Sequence, residues 1–164
     1  MMNLVPFQPT HAATVAKWPQ SPNESLHWCG EYPVTPETIA SWSTTNEVQA
    51  YLLMNNEEPI AYGELWLDDE ETELARLIVA PPHRNQGTGK HLVTALTNIA
   101  LTRTPELIAL RVHPNNSRAA HLYQRAGFHQ VDEPTATEWN THQPVAYQWL
   151  TFARPDQQTR PLPN

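Results

Sequence analysis

Short apolar runs, rich in branched residues and bounded by Pro, Gly or Asn, predict the strands of a sheet. They lie at residues 3–7, 48–54, 60–67, 73–79, 107–112, 128–131 and 145–152. The second and third runs are joined by N-N-E-E-P, a sequence typical of a hairpin turn. Pro81 and Pro82 end the fourth run, because proline cannot donate a hydrogen bond to a neighbouring strand.

Apolar residues at helical spacing predict four helices between these strands. They cover residues 9–18, a short segment that opens at Thr35 and Pro36, residues 90–101 and residues 117–126. Asn116 or Ser117 is a typical N-cap for the last helix, and Gly127 is a typical C-terminal stop. Residues 21–33 and 135–143 lack such a period, and we expect loops there. The predicted order is therefore β-α-α-β-β-β-α-β-α-β-β.

The stretch between the fourth strand and the third helix, residues 79–90, has the composition of a ligand-binding loop. Gly87 and Gly89 permit a steep turn and a close approach of a ligand to the backbone. Because the loop opens onto a helix N-terminus, its free amides and positive dipole suit a phosphate or pyrophosphate. Arg84 stands where a Walker A loop needs its first glycine, and Leu92 where a dinucleotide fingerprint needs its third. Neither of those motifs fits.

Two separate blocks of sequence point to a different phosphate ligand. The pattern V-x-P-x-x-[QR]-x-x-G-x-[GA] is satisfied by Val79, Pro81, Arg84, Gly87 and Gly89. The pattern N-x-x-A-x-x-L-Y-x-x-x-G-F follows downstream as Asn116, Ala119, Leu122, Tyr123, Gly127 and Phe128. Both blocks resemble those of the GNAT family of N-acetyltransferases. The resemblance implies an α/β (α+β) GNAT acyl-CoA N-acyltransferase fold, with a central mixed, mostly antiparallel sheet and helices on both faces.

The resemblance also implies that acetyl-CoA, or another acyl-CoA, is the co-substrate. It would bind where the strand ending at Val79 separates from the strand starting near Leu107. Backbone groups of Leu77 and Val79 would bond the pantetheine amides as a neighbouring strand does, and the side chains of Arg84 and Lys90 would add charge near the pyrophosphate. The expected cofactor contacts are Leu77, Ile78, Val79, Arg84, Asn85, Gln86, Gly87, Thr88, Gly89, Lys90 and Asn116.

The reaction implied by the resemblance is direct attack of a primary amine on the thioester carbonyl. Deprotonating a lysine-like amine, with a pKa near 10.4, costs about 4.6 kcal/mol at pH 7, whereas an α-amine costs about 1 kcal/mol. A general base therefore matters most for the first kind of acceptor. Tyr123 matches the family tyrosine that protonates the departing CoA thiolate.

Glu73 is the first candidate for that base. It precedes Val79 by six residues, as the general base does in histone-modifying relatives. Strand alternation predicts that Glu73 lies on the same face as Leu77 and Val79. Glu64, on the preceding strand, is the second candidate. For either residue, a surface or hairpin carboxylate without a catalytic role stays an open alternative.

The resemblance implies that the region between the first two helices forms one wall of the acceptor pocket. Trp28 and Tyr32 lie in that region and, with Glu64, are the predicted substrate contacts. The alternative that both aromatic residues only cover the core stays open. The acceptor stays open among small-molecule amines, amino-acid-like metabolites and a protein N-terminus or lysine. A non-catalytic acyl-CoA-binding regulatory module on the same scaffold is the alternative to an enzyme.

Length and charge narrow the remaining classes. The 164 residues fit one domain, expected over residues 1–153, with residues 154–164 as a flexible, proline-rich tail. A formal net charge of −7 argues against a nucleic-acid partner and suits an amine partner.

A single cysteine, Cys29, and the lack of an apolar run of about 20 residues suggest a cytoplasmic protein without a membrane partner. The histidines show no clustered ligand spacing, so we expect no metal. Monomer and homodimer both stay open.

Overall fold

The computed structural model describes residues 1–153 of the chain. The strands are β1 (Met2–Pro6), β2 (Val48–Asn55), β3 (Glu58–Leu67), β4 (Glu71–Val79), β5 (Leu107–Val112), β6 (Phe128–Gln130) and β7 (Gln148–Phe152). The α-helices are α1 (Ala12–Val15), α2 (Pro22–Cys29), α3 (Pro36–Ser41), α4 (Thr88–Thr102), α5 (Ser117–Arg125) and α6 (Glu133–Trp139). Short 3-10 turns lie at Pro9–His11 and Pro81–His83. The tail predicted for residues 154–164 lies outside the described residues.

The strands form one mixed sheet in the order β1-β2-β3-β4-β5-β7-β6. Every neighbouring pair is antiparallel except β4 and β5, which run parallel. The mostly antiparallel mixed sheet predicted from the sequence is therefore confirmed. The β4–β5 ladder joins only Glu71–Leu74 to Leu107–Leu110. Beyond Leu74 the two strands separate, and a gap opens in the middle of the sheet.

Helices cover both faces of the sheet, as predicted. On one face, Leu92 and Leu96 of α4 pack against Leu65, Leu74 and Ile108 of the sheet. Full burial of one such side chain contributes about 1.5–3 kcal/mol, so this contact fixes α4, and the loop before it, firmly to β4.

The opposite face of the sheet carries a second core. There α1 and α3 supply Val15 and Ile39, which pack in one cluster with Leu52 and Tyr62. Thr35 caps α3 as predicted, since its hydroxyl accepts a hydrogen bond from the backbone N–H of Thr38 at 3.1 Å.

Two predicted loops are wrong, because each contains a helix. Residues 21–33 hold α2, where the Ser21 hydroxyl accepts from Glu24 N–H at 3.1 Å and Gly30 ends the helix at φ 77°. Residues 135–143 overlap α6, where the Asp132 carboxylate accepts from Thr135 N–H at 2.9 Å. Both helices are short and polar, so their caps and N-terminal prolines define them rather than an apolar period.

A β-bulge in β4 changes the direction of its side chains. Between the pairs Tyr62–Ile78 and Glu64–Ala75, two β4 residues face one residue of β3. One of the two is Arg76, whose φ of 50° lies in the left-handed region.

The bulge overturns one prediction from strand alternation. Leu77 and Val79 pack in the α4 core together with Leu74, whereas Glu73 lies directly opposite Trp66 on the other face. The expectation that Glu73 shares a face with Leu77 and Val79 is therefore wrong. The extra residue shifts the alternation by one position.

Candidate active site

A large cavity occupies the gap where β4 and β5 separate. It has a volume of about 1090 Å³ and is lined by β4, the end of β5, the loop before α4, and helices α2 and α5. Ligand sites of small molecules usually enclose about 300–1,000 Å³, so the space suits an extended cofactor together with a second substrate.

One end of the cavity is the loop that was predicted to bind pyrophosphate. Gly87 adopts φ 83° immediately before α4, and Asn85 adopts φ 63°. A Cβ atom at Gly89 would lie 2.8 Å from Leu122 Cδ1 of α5, so a larger residue there would displace the Leu122 side chain. Lys90 also lines the cavity. The first-turn amides of α4 therefore stand at the cavity wall, and Gly87 and Gly89 add no side chains of their own in front of them.

The Arg84 side chain is placed differently from the expectation that it adds charge near the pyrophosphate. Its Nε donates to the Val79 carbonyl at 2.9 Å, and its Nη2 donates to the Trp18 carbonyl at 3.1 Å and to the Glu24 carboxylate at 2.5 Å. The guanidinium thus ties the loop to β4 and α2. Lys90 and Arg118, which donates to Asn85 Oδ1, are further cations that line the cavity.

The edge of β4 that faces the gap is the one predicted to bond the pantetheine amides. On the side of β4 away from the gap, Ala80 N–H donates to the carbonyl of Ile60 in β3 at 2.8 Å. Alternate residues of a strand direct their backbone N–H and C=O groups to opposite neighbours. The backbone groups of Leu77 and Val79 therefore point toward the gap. Contact between these residues and pantetheine stays a prediction.

Other predicted cofactor contacts differ in position. Asn116 lines the cavity and caps α5, where its side chain accepts from Ala119 N–H at 3.3 Å. Gln86 and Thr88 do not line the cavity: Gln86 donates to the Pro82 carbonyl at 2.9 Å, and Thr88 is buried.

The opposite end of the cavity holds the first candidate base in a bidentate ion pair. Arg111 Nη2 lies 2.8 and 3.0 Å from the two carboxylate oxygens of Glu73, and Arg111 Nε lies 3.1 Å from Oε1. Arg111 Nη1 also donates to Gln143 at 2.9 Å. Burial raises the pKa of Glu73 above its ordinary value, and Arg111 opposes that shift.

The second candidate base, Glu64, is fully buried and does not line the cavity. Its carboxylate accepts from Tyr62 at 2.5 Å, from Trp66 Nε1 at 2.8 Å and from Arg76 Nη1 at 2.9 Å. Burial and the neighbouring carboxylate raise the pKa of Tyr62, so its phenol stays a donor. Glu64 therefore anchors side chains behind the cavity wall.

Tyr123 lines the cavity from α5. Its hydroxyl has no hydrogen-bond partner among the described residues. Burial raises the pKa of Tyr123 to about 12, so the phenol carries its proton at any physiological pH and is able to donate a hydrogen bond.

Helix α2, which the sequence did not predict, lies across the gap. Trp28 Nε1 donates to the Arg76 carbonyl at 2.8 Å, and the ring of His27 stacks on that of His113, after β5, at 4.0 Å. Trp28 lines the cavity and packs against the α1–α3 core, so its contact with a substrate stays a prediction. Tyr32 is 58% exposed and does not line the cavity.

Sequence reasoning missed four residues that line the Glu73 end of the cavity: Trp66, Arg76, Arg111 and Tyr147. The Arg76 guanidinium carbon lies 5.0 Å from the centre of the Trp66 ring, and that of Arg111 lies 5.7 Å from the same ring. Arginine inside the otherwise apolar runs E-L-A-R-L-I-V and L-I-A-L-R-V was the available signal.

Among residues 1–153, no group of three or more His, Cys, Asp or Glu side chains is arranged to hold a metal ion. In the same range, no helix has both the length and the apolarity needed to cross a membrane. The absence of a metal stays a prediction.

Comparisons with known proteins agree with this geometry. An uncharacterized N-acetyltransferase of Bacillus subtilis, YobR, is 28% identical over 126 residues, which cover 71% of this chain but only 50% of that relative. A Vibrio cholerae spermidine N-acetyltransferase chimera has a similar structure, with a TM-score of 0.75 at 16% identity over 97% of this chain and 99% of that one. AAC(6')-Ib in complex with ribostamycin and coenzyme A has a TM-score of 0.75 at 20% identity, over 99% of both chains.

The two structural matches are below 25% identity and show the fold alone. The sequence profile of the acetyltransferase (GNAT) family matches residues 12–128, which include β4, the loop before α4 and the α5 block. By this match and by the cavity that those elements enclose, the chain belongs to the GNAT family of acetyltransferases.

Proposed function

We propose that this protein transfers an acetyl group from acetyl-CoA to a primary amine by direct attack in a ternary complex. The observation that carries the proposal is the continuous cavity, which joins the amide-rich loop at Gly87 to the Glu73–Arg111 pair through the gap between β4 and β5. We include residues 1–153 in the proposal as one domain, because both cores share the single sheet.

The loop end suits the cofactor. The free first-turn amides of α4 and the side chain of Lys90 provide donors and positive charge for the pyrophosphate. The unpaired edge of β4 at Leu77 supplies a backbone donor and acceptor for the pantetheine amides. A pantetheine arm that runs along β4 from the loop at Gly87 puts the thioester in the wide part of the gap, near Tyr123.

Glu73 is favoured over Glu64 as the base, because Glu73 lines the cavity and Glu64 does not. The bidentate pair with Arg111 fixes the orientation of the Glu73 carboxylate. A carboxylate with a raised pKa is also a stronger base than an ordinary one. It takes a proton from the attacking nitrogen, directly or through a water molecule.

Tyr123 acts on the leaving group. Proton transfer from a phenol of pKa about 12 to a thiolate whose acid has a pKa near 8.5 is uphill by about 5 kcal/mol. Tyr123 therefore stabilises the departing thiolate by donating a hydrogen bond, and the thiolate takes its proton from the solvent or from the attacking amine.

The test is a screen of primary amines with purified protein and acetyl-CoA, read by release of free thiol and by mass spectrometry of the product. We expect acetylated product and a lower rate for Tyr123→Phe and Glu73→Gln. Calorimetry with acetyl-CoA accompanies the screen. If the cofactor binds but no amine in a broad panel is acetylated, the protein is a non-catalytic acyl-CoA-binding module and the proposal is wrong.

A further inference from the structure

We infer that the acceptor is an amine that also carries a carboxylate, and that Arg76 binds that carboxylate. The inference rests on the proposed function and narrows its acceptor to the amino-acid class. It is built on the guanidinium of Arg76 and on the charges that line the cavity.

Two of the three guanidinium nitrogens of Arg76 have no hydrogen-bond partner among residues 1–153. Nη1 donates to Glu64 at 2.9 Å, whereas Nε and Nη2 make no hydrogen bond to any described residue. In the same part of the chain, His11 Nδ1 is the one buried side-chain nitrogen or oxygen without a partner. Nε and Nη2 of Arg76 are therefore accessible, and Arg76 lines the cavity. These two atoms form the fork that bonds a carboxylate in bidentate fashion.

The guanidinium is held in a fixed position. The bulge places Arg76 at φ 50°, a conformation that is rare for residues other than glycine and is concentrated at functional sites. Its guanidinium carbon lies 4.2 Å from the centre of the Trp42 ring and 5.0 Å from that of Trp66. With Glu64 fixing Nη1 from behind, little side-chain entropy is lost when a ligand binds.

The charge around the cavity favours an anionic group on the acceptor. Two acidic residues of the described chain line it, Glu24 and Glu73, and each is already paired with an arginine. A second cationic group on the acceptor would meet no unpaired carboxylate there. At the Trp66 end, Arg76 and Arg111 are paired with Glu64 and Glu73, so an anionic group of the acceptor meets two guanidinium groups and no free carboxylate there.

Arg76 and the candidate base are close enough to contact one small molecule. The guanidinium carbon of Arg76 lies 5.0 Å from the centre of the Trp66 ring. That of Arg111, the partner of Glu73, lies 5.7 Å from the same centre. An amine that approaches Glu73 along Trp66 therefore carries its carboxylate toward Arg76.

The experiment compares acceptors that differ only in the carboxylate: the proteinogenic amino acids and their C-terminal amides. Amidation lowers the pKa of the amine, which by itself favours the amide as a nucleophile. We nevertheless expect kcat/KM to be about 10- to 100-fold higher for the acids, because a hydrogen bond to a charged group contributes about 1.5–3 kcal/mol. Arg76→Gln should remove this preference and leave the affinity for acetyl-CoA unchanged.

Arg103→Gln, on the exposed end of α4, is the matched control and should retain the preference. If Arg76→Gln alone does not fold because Glu64 is left unpaired, the double variant Arg76→Gln/Glu64→Gln removes both charges and is tested in its place. Amides that are acetylated as well as the acids by the native protein would overturn the inference while leaving the proposed function intact.

A second arm needs no turnover. N-acetyl amino acids and their amides are titrated into the CoA-loaded protein by calorimetry. Tighter binding of the acids, lost in Arg76→Gln, supports the inference. Equal or weaker binding of the acids overturns it, whether or not the amine screen succeeds.

Discussion

Glu73 and Arg111 form a bidentate ion pair across two parallel strands, with Arg111 Nη2 at 2.8 and 3.0 Å from the two carboxylate oxygens. The pair lies just before the two strands separate, since the last paired residue of β4 is Leu74. It therefore closes the end of the cavity and holds a carboxylate there in one orientation. The same contact couples the chemistry of the site to the stability of the sheet.

Arg111→Gln should destabilise the protein by about 3 kcal/mol at pH 7, because it leaves the Glu73 carboxylate buried without its partner. Burial already raises the pKa of Glu73, so the folded state holds that proton more tightly than the unfolded state. Stability is therefore lost as pH rises through the raised pKa, and removing Arg111 enlarges this loss. Denaturant unfolding at pH 7 and near pH 5 measures the difference.

The double variant Glu73→Gln/Arg111→Gln is the control for that prediction. Because it leaves no charge to bury, it should be more stable at pH 7 than Arg111→Gln alone. An equal loss of stability in the single variant at both pH values would show that Arg111 acts through packing rather than through Glu73.

Glu73→Gln should lower kcat/KM by about 100-fold or more for an amine that is protonated at the assay pH. In the native protein the rate should fall on the acid side at a pH above the ordinary range of a carboxyl group, because the pKa of Glu73 is raised. That acid limb should disappear in Glu73→Gln. A pH–rate profile measures both effects, with Glu64→Gln as a variant that should keep the limb. Loss of the limb in Glu64→Gln instead would assign the base to Glu64.

Tyr123→Phe should lower kcat by about 10- to 100-fold, the equivalent of one hydrogen bond to a charged leaving group. The KM for acetyl-CoA should change little, since the bond forms as the thiolate leaves. Burial raises the pKa of Tyr123 to about 12, so the native rate should show no decline from ionisation of this phenol below about pH 11. A steady-state comparison over pH 6–10 checks both points, and an unchanged kcat would remove Tyr123 from the mechanism.

The sequence was sufficient for the sheet and for the long helices. Apolar runs identified every strand, with ends that differ by up to three residues, as at Gln148 of β7. It failed at α2 and α6, whose polar surfaces carry no apolar period. Both helices were nevertheless signalled locally by a cap followed by proline, at Ser21–Pro22 and Asp132–Pro134. Weighting caps above periodicity would have found them.

The turn before α4 was predictable from the sequence, because glycine positions record its backbone conformation. The residues at the opposite end of the cavity were not. A bulge at Arg76 reversed the predicted face of Glu73, and no residue in E-L-A-R-L-I-V marks where an extra residue enters the pairing. The arginine–carboxylate pairs join residues 12 and 38 positions apart, a relationship that only the folded sheet defines.

Gly87→Ala tests whether the loop before α4 binds the cofactor through its backbone. Gly87 adopts φ 83°, and a Cβ atom there would meet nothing within 4 Å, so the substitution acts through backbone strain rather than a clash. Alanine in this conformation costs about 1–2 kcal/mol, and we expect a comparable loss of stability with weaker binding of acetyl-CoA as the turn relaxes.

Gly87→Asn is the matched variant, because asparagine tolerates the left-handed region and should retain most of the stability and most of the affinity for acetyl-CoA. Denaturation and calorimetry on the three proteins separate the effects. If Gly87→Ala loses stability but binds acetyl-CoA as tightly as the native chain, the amides of this turn do not hold the pyrophosphate.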